Sequence, residues 1–208
     1  VPFAPTKQKR RRDGRKNATM ASAGTTELLM IRHAPVVADG RLAGRRDVAA
    51  DLAGVSLSSL AAEIAGAALV ASPARRCLQT AAALCPGVAP ETDPRLWEQD
   101  FGAWEGRPFA DLPDLGPLTG AALAAHRPPE GESFADLCAR TAPALAALAA
   151  RGGRVAVVAH AGTVRAALVQ AMGDVPAALA FQVAPLSLTR ILVTPGGWSI
   201  ACVNRVWA

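Results

Sequence analysis

The chain has no tyrosine, and aromatic residues make up only 4% of its 208 residues. It has three histidines and four cysteines. Cys77, Cys85, Cys138 and Cys202 show no Cys-x-x-Cys spacing, and only His33, His126 and His160 could join them around zinc. That scarcity argues against a metal centre or a disulfide framework, and for reduced, mostly buried thiols. No apolar run approaches the roughly 20 residues that span a bilayer. No apolar segment follows the basic run near the start, so a signal peptide is not expected either. These absences together point to a cytoplasmic domain.

An acidic balance is also lacking, yet the formal charge of +5 misleads. Before Met20 stand Lys7, Lys9, Arg10, Arg11, Arg12, Arg15 and Lys16, opposed only by Asp13. The whole cationic excess therefore belongs to the tail, and the remainder is close to neutral. Basic tails can bind nucleic acid or acidic lipid. No aromatic or repeat pattern supports that use here, so a solvated terminal extension is expected, with Met20 as a plausible natural start. Residues 1–26 read as a disordered extension and residues 27–208 as one domain. At 51% hydrophobic and 19% charged, that domain has apolar material for a sizeable core.

The stretch that organises the domain is Glu27 to Ala34, in which Leu28, Leu29, Met30 and Ile31 lead into Arg32-His33. A short apolar run bounded by polar residues reads as a buried strand of an α/β sheet. Ligand crevices of open α/β sheets lie at the carboxyl ends of the strands. The arginine fork fits phosphate oxygens. A histidine beside it can be a nucleophile, a general acid or base, or a metal ligand.

Further elements follow in order. Residues 35–54 form a loop in which Gly44-Arg45-Arg46-Asp47 brings two cations near the first strand end. Residues 56–65 read as a helix capped by Ser56, and 68–71 as a strand. Ser72 looks like a helix cap, with Pro73 at the first helical position and the helix running to about Leu84. Arg75 and Arg76 then lie in the first turn, where cations are unfavourable, which points to an anion held there. A third strand falls within 88–95, followed by Leu96-Trp97-Glu98-Gln99-Asp100-Phe101-Gly102-Ala103-Trp104-Glu105-Gly106. Residues 108–129 read as an irregular insert, with His126 exposed and Glu105 structural. Ser133 and Asp136 resemble a capping box opening a helix over 133–151. A strand over 154–159 ends at His160-Ala161-Gly162-Thr163, which opens a helix to about Met172. Thr163 and the free amides of that turn could hold an anion. Edge strands are expected at 181–183, 187–194 and 199–206.

Three strand ends thus deliver Arg32-His33, Arg76 and His160 to one sheet edge, and Glu98 follows a further strand. The expected architecture is a three-layer α/β/α sandwich around a mostly parallel sheet. Two arginines, two histidines and a carboxylate meet the needs of phosphoryl transfer without metal. One histidine attacks phosphorus, while the arginines and the other histidine hold the equatorial oxygens. The carboxylate gives the leaving oxygen its proton.

Four motifs now stand in order. They are strand-Arg-His, Ser-Pro-x-x-Arg with Thr80-Ala81, Leu-x-Glu with Phe-Gly-x-Trp-Glu-Gly, and strand-His-x-Gly-Thr. In this order and spacing the chain resembles the histidine phosphatase superfamily, with its phosphoglycerate-mutase-like fold, over about residues 27–205. The resemblance implies His33 as nucleophile and Glu98 as proton donor. It implies Arg32, Arg76 and His160 in catalysis and substrate binding, with Thr163 and Arg46 as further substrate contacts. It implies a small phosphate monoester as partner, with no metal, no organic cofactor, no nucleic acid and no membrane. A homodimer stays open. Where the family has Gly after Arg-His and Thr two further on, this chain has Ala34 and Val36. A methyl at 34 narrows the pocket if the backbone there needs positive φ. The loss of a hydroxyl at 36 removes a phosphate donor. Arg-His-x-Pro, Gly-Arg-x-Asp and the Trp-Glu-x-Asp-Phe-Gly stretch look like the alpha-ribazole phosphatase-like branch, which implies alpha-ribazole 5′-phosphate as substrate. A phosphoglycerate-type mutase and a non-catalytic phosphoryl-ligand or nucleic-acid binder are the alternatives.

Overall fold

A computed structural model of the chain describes residues 24–37 and 40–207. The tail expected to be disordered lies outside the described residues up to residue 23. The boundary expected after residue 26 moves forward, because Thr26 opens the first strand, is 1% exposed, and bonds through its hydroxyl to the Ala149 carbonyl.

The strands β1 (Thr26–Arg32), β2 (Ala68–Ala71), β3 (Glu91–Thr92), β4 (Gly153–Ala159), β5 (Leu188–Thr194) and β6 (Gly197–Arg205) form one sheet. Their order is β3-β2-β4-β1-β5-β6. The first four in that order are parallel, and β5 and β6 extend the sheet antiparallel beyond β1. The helices are α1 (Ser58–Ile64), α2 (Arg75–Leu84), α3 (Gly120–Ala125), α4 (Phe134–Ala149), α5 (Ala161–Met172) and α6 (Val175–Ala178). This is the mixed α/β sandwich expected.

Both faces of the sheet are covered, which is why its central strands read as unbroken apolar runs. Successive side chains alternate faces. Leu28 and Met30 of β1, with Val155 and Val157 of β4, pack against α3, α4, α5 and α6. Leu29 and Ile31, with Ala156 and Val158, pack against α1 and α2. Each such aliphatic contributes about 1.5–3 kcal/mol on burial, so Leu29→Ala at the sheet centre should cost roughly 2–5 kcal/mol.

Several local expectations shift. Ser133 and Asp136 do make the reciprocal capping box of α4. Ser56 is not the cap of α1, which has Leu57 at that position and no side-chain cap bond. Ser72 does not cap α2 either. The chain stays extended at Ala74, α2 begins at Arg75, and the amide of Arg75 is capped across the loop by Asp47 Oδ1 at 2.6 Å. Residues 181–183 are not a strand. Arginine side chains, rather than a neighbouring strand, take the carbonyls of Phe181 and Val183.

Candidate active site

The sheet's register builds the site. Arg32 of β1 lies opposite Ala159 of β4, and Ala71 of β2 lies opposite Val158. The amides of His33 and Ser72 continue these ladders, bonding the carbonyls of Ala159 and Val158 at 2.9 Å each. His33, Ser72 and His160 therefore leave three parallel strands side by side. The rings of His33 and His160 meet edge to face, with centroids 5.2 Å apart.

His33 is 6% exposed. Its Nδ1 lies 2.6 Å from the Ala34 carbonyl oxygen, an acceptor, so this nitrogen carries the proton. Nε2 then presents a lone pair, and Arg76 donates to it from Nε at 3.2 Å. Burial pulls the ring's pKa down to about 3, the Ala34 bond opposes that, and Arg76 and Arg32 reinforce it. The imidazole is neutral at physiological pH, as a nucleophile must be.

Arg76 is the hub, at 1% exposure. Nη1 donates to the Arg46 carbonyl at 2.8 Å, and Nη2 to the Gly44 carbonyl at 2.6 Å and to His160 Nδ1 at 3.1 Å. Gly44 has φ +52 and packs on the Glu105 carboxylate, so a Cβ there would collide with Glu105. His160 is fully buried, and its Nε2–H donates to Ser72 Oγ at 2.8 Å. Burial holds its pKa well below the usual value, and the Arg76 charge adds to that. Trp97 stacks on His160 with centroids 6.2 Å apart.

Glu98 reaches the amino end of α5, where Gly162 N–H donates to Oε1 at 3.2 Å. A Cβ at 162 would collide with Glu98 and Leu137, which is the physical reason for glycine in the His-x-Gly-Thr motif. Arg32 donates from Nη1 to the Val183 carbonyl at 2.6 Å, while its Nε is buried without a partner. Burial lowers the Arg32 pKa, and Glu98 works against that.

Arg32, His33, Arg76, Glu98 and Val36 line one cavity of about 440 Å³, with Phe101, Phe109, Phe134 and Leu179 giving it apolar walls. His160 sits behind it and reaches it through Arg76. Thr163 is not at the cavity; its hydroxyl donates to the Leu96 carbonyl at 3.1 Å and fixes the Glu98 loop to α5. Arg46 is exposed and offers its carbonyl, not its guanidinium, to the site, while the guanidinium lies against Gly106. Arg75 is exposed, leaving Arg76 as the arginine of the pair at the site. Glu105 is structural, accepting from the amides of Arg45 at 2.7 Å and Phe101 at 3.1 Å. His126 is half-buried and stacks on Trp104 instead of standing exposed. Ala34 does not have positive φ, so its methyl imposes no backbone strain.

Sequence reading missed two features. Arg165 lines the cavity. Arg140 donates from Nη2 to the carbonyls of Trp97 and Glu98 at 3.2 Å each and binds Glu132, which also binds Arg45. As the one charged residue of the helix Ala161–Met172, Arg165 carried an available signal. Among the described residues, no group of three or more His, Cys, Asp or Glu is placed to hold a metal ion. Nor is any helix among them long and apolar enough to cross a membrane.

The family model of the histidine phosphatase superfamily (branch 1) matches residues 28–206. The chain belongs to that superfamily. It is similar to the bifunctional protein Rv2228c of Mycobacterium tuberculosis, at 33% identity over 140 residues, covering 59% of this chain and 37% of that protein. The chain therefore spans little more than a third of that relative's length. Its fold resembles a mycobacterial glucosyl-3-phosphoglycerate phosphatase, with TM-score 0.73, 25% identity, and coverage of 88% of this chain and 100% of the other. It also resembles the alpha-ribazole phosphatase of Shigella flexneri, with TM-score 0.71, 22% identity, and coverage of 86% and 96%.

Proposed function

We propose that this histidine phosphatase superfamily member hydrolyses small phosphate monoesters through a phosphohistidine on His33. The observation that carries the reading is the state of the His33 ring. It is buried and neutral, its proton is fixed on Nδ1 by the Ala34 carbonyl, and its Nε2 lone pair faces the arginine donors. In the first step the Nε2 lone pair bonds to phosphorus as the bond to the leaving oxygen breaks. Glu98 delivers its proton to that oxygen. Arg32 and Arg76 answer the charge that spreads over the equatorial oxygens, and His160 holds Arg76 in place from behind. In the second step water attacks the phosphoenzyme, Glu98 takes the water's proton, the P–N bond breaks, and His33 returns neutral.

The arginine-rich cavity supports a metal-independent reaction. The motif resemblance and the alpha-ribazole phosphatase fold make alpha-ribazole 5′-phosphate the first natural substrate to assay, beside phosphorylated hydroxy acids. The deciding experiment is rapid-quench trapping during turnover of a labelled monoester. Acid-labile phosphoenzyme should form with the full chain and vanish in His33→Ala. Turnover without such an intermediate, or label persisting in the variant, overturns the assignment. Transfer to a second monophosphate in preference to water makes the chain a mutase.

A further inference from the structure

The guanidinium groups of Arg76 and Arg32 are held differently. Arg76 makes four hydrogen bonds, to His33, Arg46, Gly44 and His160. Among the described residues, the guanidinium of Arg32 makes one, from Nη1 to the Val183 carbonyl at 2.6 Å, and its Nε is buried without a partner. The direction of the Arg32 fork therefore rests on a single carbonyl. Arg32 adjoins the nucleophile and lines the cavity, so a tilt of that carbonyl moves the donors left for a phosphoryl group.

That carbonyl belongs to the Val183–Ala184 peptide unit. At the other end of the same unit, the Ala184 amide donates to Asn204 Oδ1 at 2.6 Å. A peptide unit is planar, so fixing its N–H fixes its C=O. Asn204 and Arg32 thus grip one rigid group from opposite ends, and each bond polarises it in favour of the other. Asn204 sits in β6 with φ +57, a left-handed conformation that asparagine tolerates better than most residues. Its own amide donates to Thr189 Oγ1 at 3.2 Å, which anchors it to β5.

The turn after this peptide is strained as well. Ser187 N–H closes it onto the Ala184 carbonyl at 3.1 Å, and Leu186 within it has φ +59, where glycine is favoured. Leu186 N–H donates to the Arg32 carbonyl at 3.0 Å, and Arg32 N–H to the Ser187 carbonyl at 3.3 Å. Two residues facing one in this way form a β-bulge, a device that re-aims a side chain. Among the described residues three non-glycine residues have positive φ, and two of them, Leu186 and Asn204, belong to this bracket around Arg32. Neither lines the cavity. Strain gathered around one residue of a site, away from the ligand, points to positioning.

We propose that Asn204 is a positioning residue for Arg32, aiming through the Val183–Ala184 peptide the guanidinium that takes the transferred phosphoryl group. The role of Arg32 rests on the phosphatase reading above, whereas the coupling of Asn204 to Arg32 does not.

Binding of inorganic phosphate to the full chain, measured by calorimetry, tests this independently of turnover. Asn204→Gly keeps the left-handed backbone and removes the acceptor, and should weaken phosphate about tenfold, the scale of one well-placed hydrogen bond. Asn204→Asp restores an acceptor and should recover most of that loss. Arg32→Lys cannot offer the fork that the Val183 carbonyl aims. In that background Asn204→Gly should cost less than about twofold more, because the two residues act through one peptide. A merely structural role would lower stability instead, and any loss of binding would multiply with that of the arginine variant. Should the glycine variant fail to fold, Asn204→Ser, whose hydroxyl falls short of the Ala184 amide, enters the same cycle. Phosphate binding by Asn204→Gly within about twofold of the unmodified chain overturns the proposal. So does an equal loss in both backgrounds. Failure to hydrolyse p-nitrophenyl phosphate would sink the phosphatase reading instead, and leaves this cycle, which reads binding alone, to decide the coupling.

Discussion

Arg76 donates from Nε to Nε2 of His33 at 3.2 Å, directly onto the lone pair through which that ring would attack phosphorus. The proposed nucleophile and the group that answers its developing charge are thus already bonded to each other. An arriving phosphoryl group has to take over that donor as the new bond forms. The same guanidinium ties down the Gly44 and Arg46 carbonyls and His160 Nδ1, so it orients three parts of the site together.

Arg76→Lys keeps the charge but cannot reproduce four contacts from one planar fork. We expect kcat/KM for p-nitrophenyl phosphate to fall by about 10²–10³, the scale for losing one preorganised donor. The inhibition constant of inorganic phosphate should rise alongside. A loss below about tenfold would mean that Arg76 is a structural strut and that Arg32 supplies the charge.

Two buried neutral histidines also make the fold acid-sensitive. The pKa of His33 falls to about 3 in the folded chain from an ordinary value of 6.5, and that of His160 lies well below 6.5. Between those values the unfolded chain binds protons that the folded chain does not. Stability contributed by these rings is therefore present above about pH 6.5 and declines as pH falls toward about 3. Thermal melts from pH 7 to pH 4 should show a falling Tm, with a shallower slope in His33→Ala. Ring proton resonances of His33 and His160 should stay unshifted from pH 8 down to pH 5. Titration of either near 6.5 contradicts the buried neutral pair.

Ala34 stands where the family carries glycine, and the structure removes the reason to expect strain there. Its φ is not positive, the residue is fully buried, and its amide donates to Thr80 Oγ1 at 3.0 Å. Ala34→Gly should therefore not raise kcat/KM. It should lower stability by about 0.5–1 kcal/mol, through the added freedom of the unfolded chain. Urea unfolding beside a rate measurement decides it. A gain in rate of several-fold would show that the methyl obstructs the site.

How far the sequence could be read depended on the range of each contact. Arg32, His33 and His160 were legible because each ends or follows an apolar run, and a buried strand fixes where its carboxyl end points. Arg76 followed from its distance to a strand end. Ser72 was misread as the cap because Ser before Pro looks the same locally; its hydroxyl takes the Ala74 amide at 3.4 Å, ahead of the helix, and the His160 ring, 88 residues away, at 2.8 Å. Thr163 failed likewise, since its partner is the Leu96 carbonyl, 67 residues back. The 181–183 segment was read as a strand from its apolar content, whereas two arginine side chains claim its carbonyls. Helix α5 gave one local signal for Arg165, a lone charge in the helix, but not the distant Phe181 carbonyl that directs the side chain.

The last prediction separates the proton donor from the residues that aim it. The Glu98 carboxylate is held by Gly162 N–H, and its backbone carbonyl accepts from Arg140 Nη2 at 3.2 Å and Arg45 Nε at 3.4 Å. Glu132 ties those two arginines together, with Oε1 2.6 Å from Arg140 Nη2 and 3.1 Å from Arg45 Nη2. The need for a proton depends on the leaving group: an alkoxide leaves badly without one, whereas p-nitrophenolate leaves readily. Positioned acid catalysis contributes about 10²–10⁴-fold, so Glu98→Gln should lose on that order with an alkyl phosphate and far less with p-nitrophenyl phosphate. Arg140 touches no substrate, and as a positioning residue it should show the same asymmetry at smaller size. Arg140→Ala is expected to slow the alkyl ester about tenfold more than the aryl ester, with Arg140→Lys between that variant and the unmodified chain. A purely structural Arg140 would depress both esters equally, in proportion to the protein that folds. If Glu98→Gln itself loses both rates equally, Glu98 is not the acid, and the lattice of Arg45, Glu132 and Arg140 then only braces the wall of the cavity.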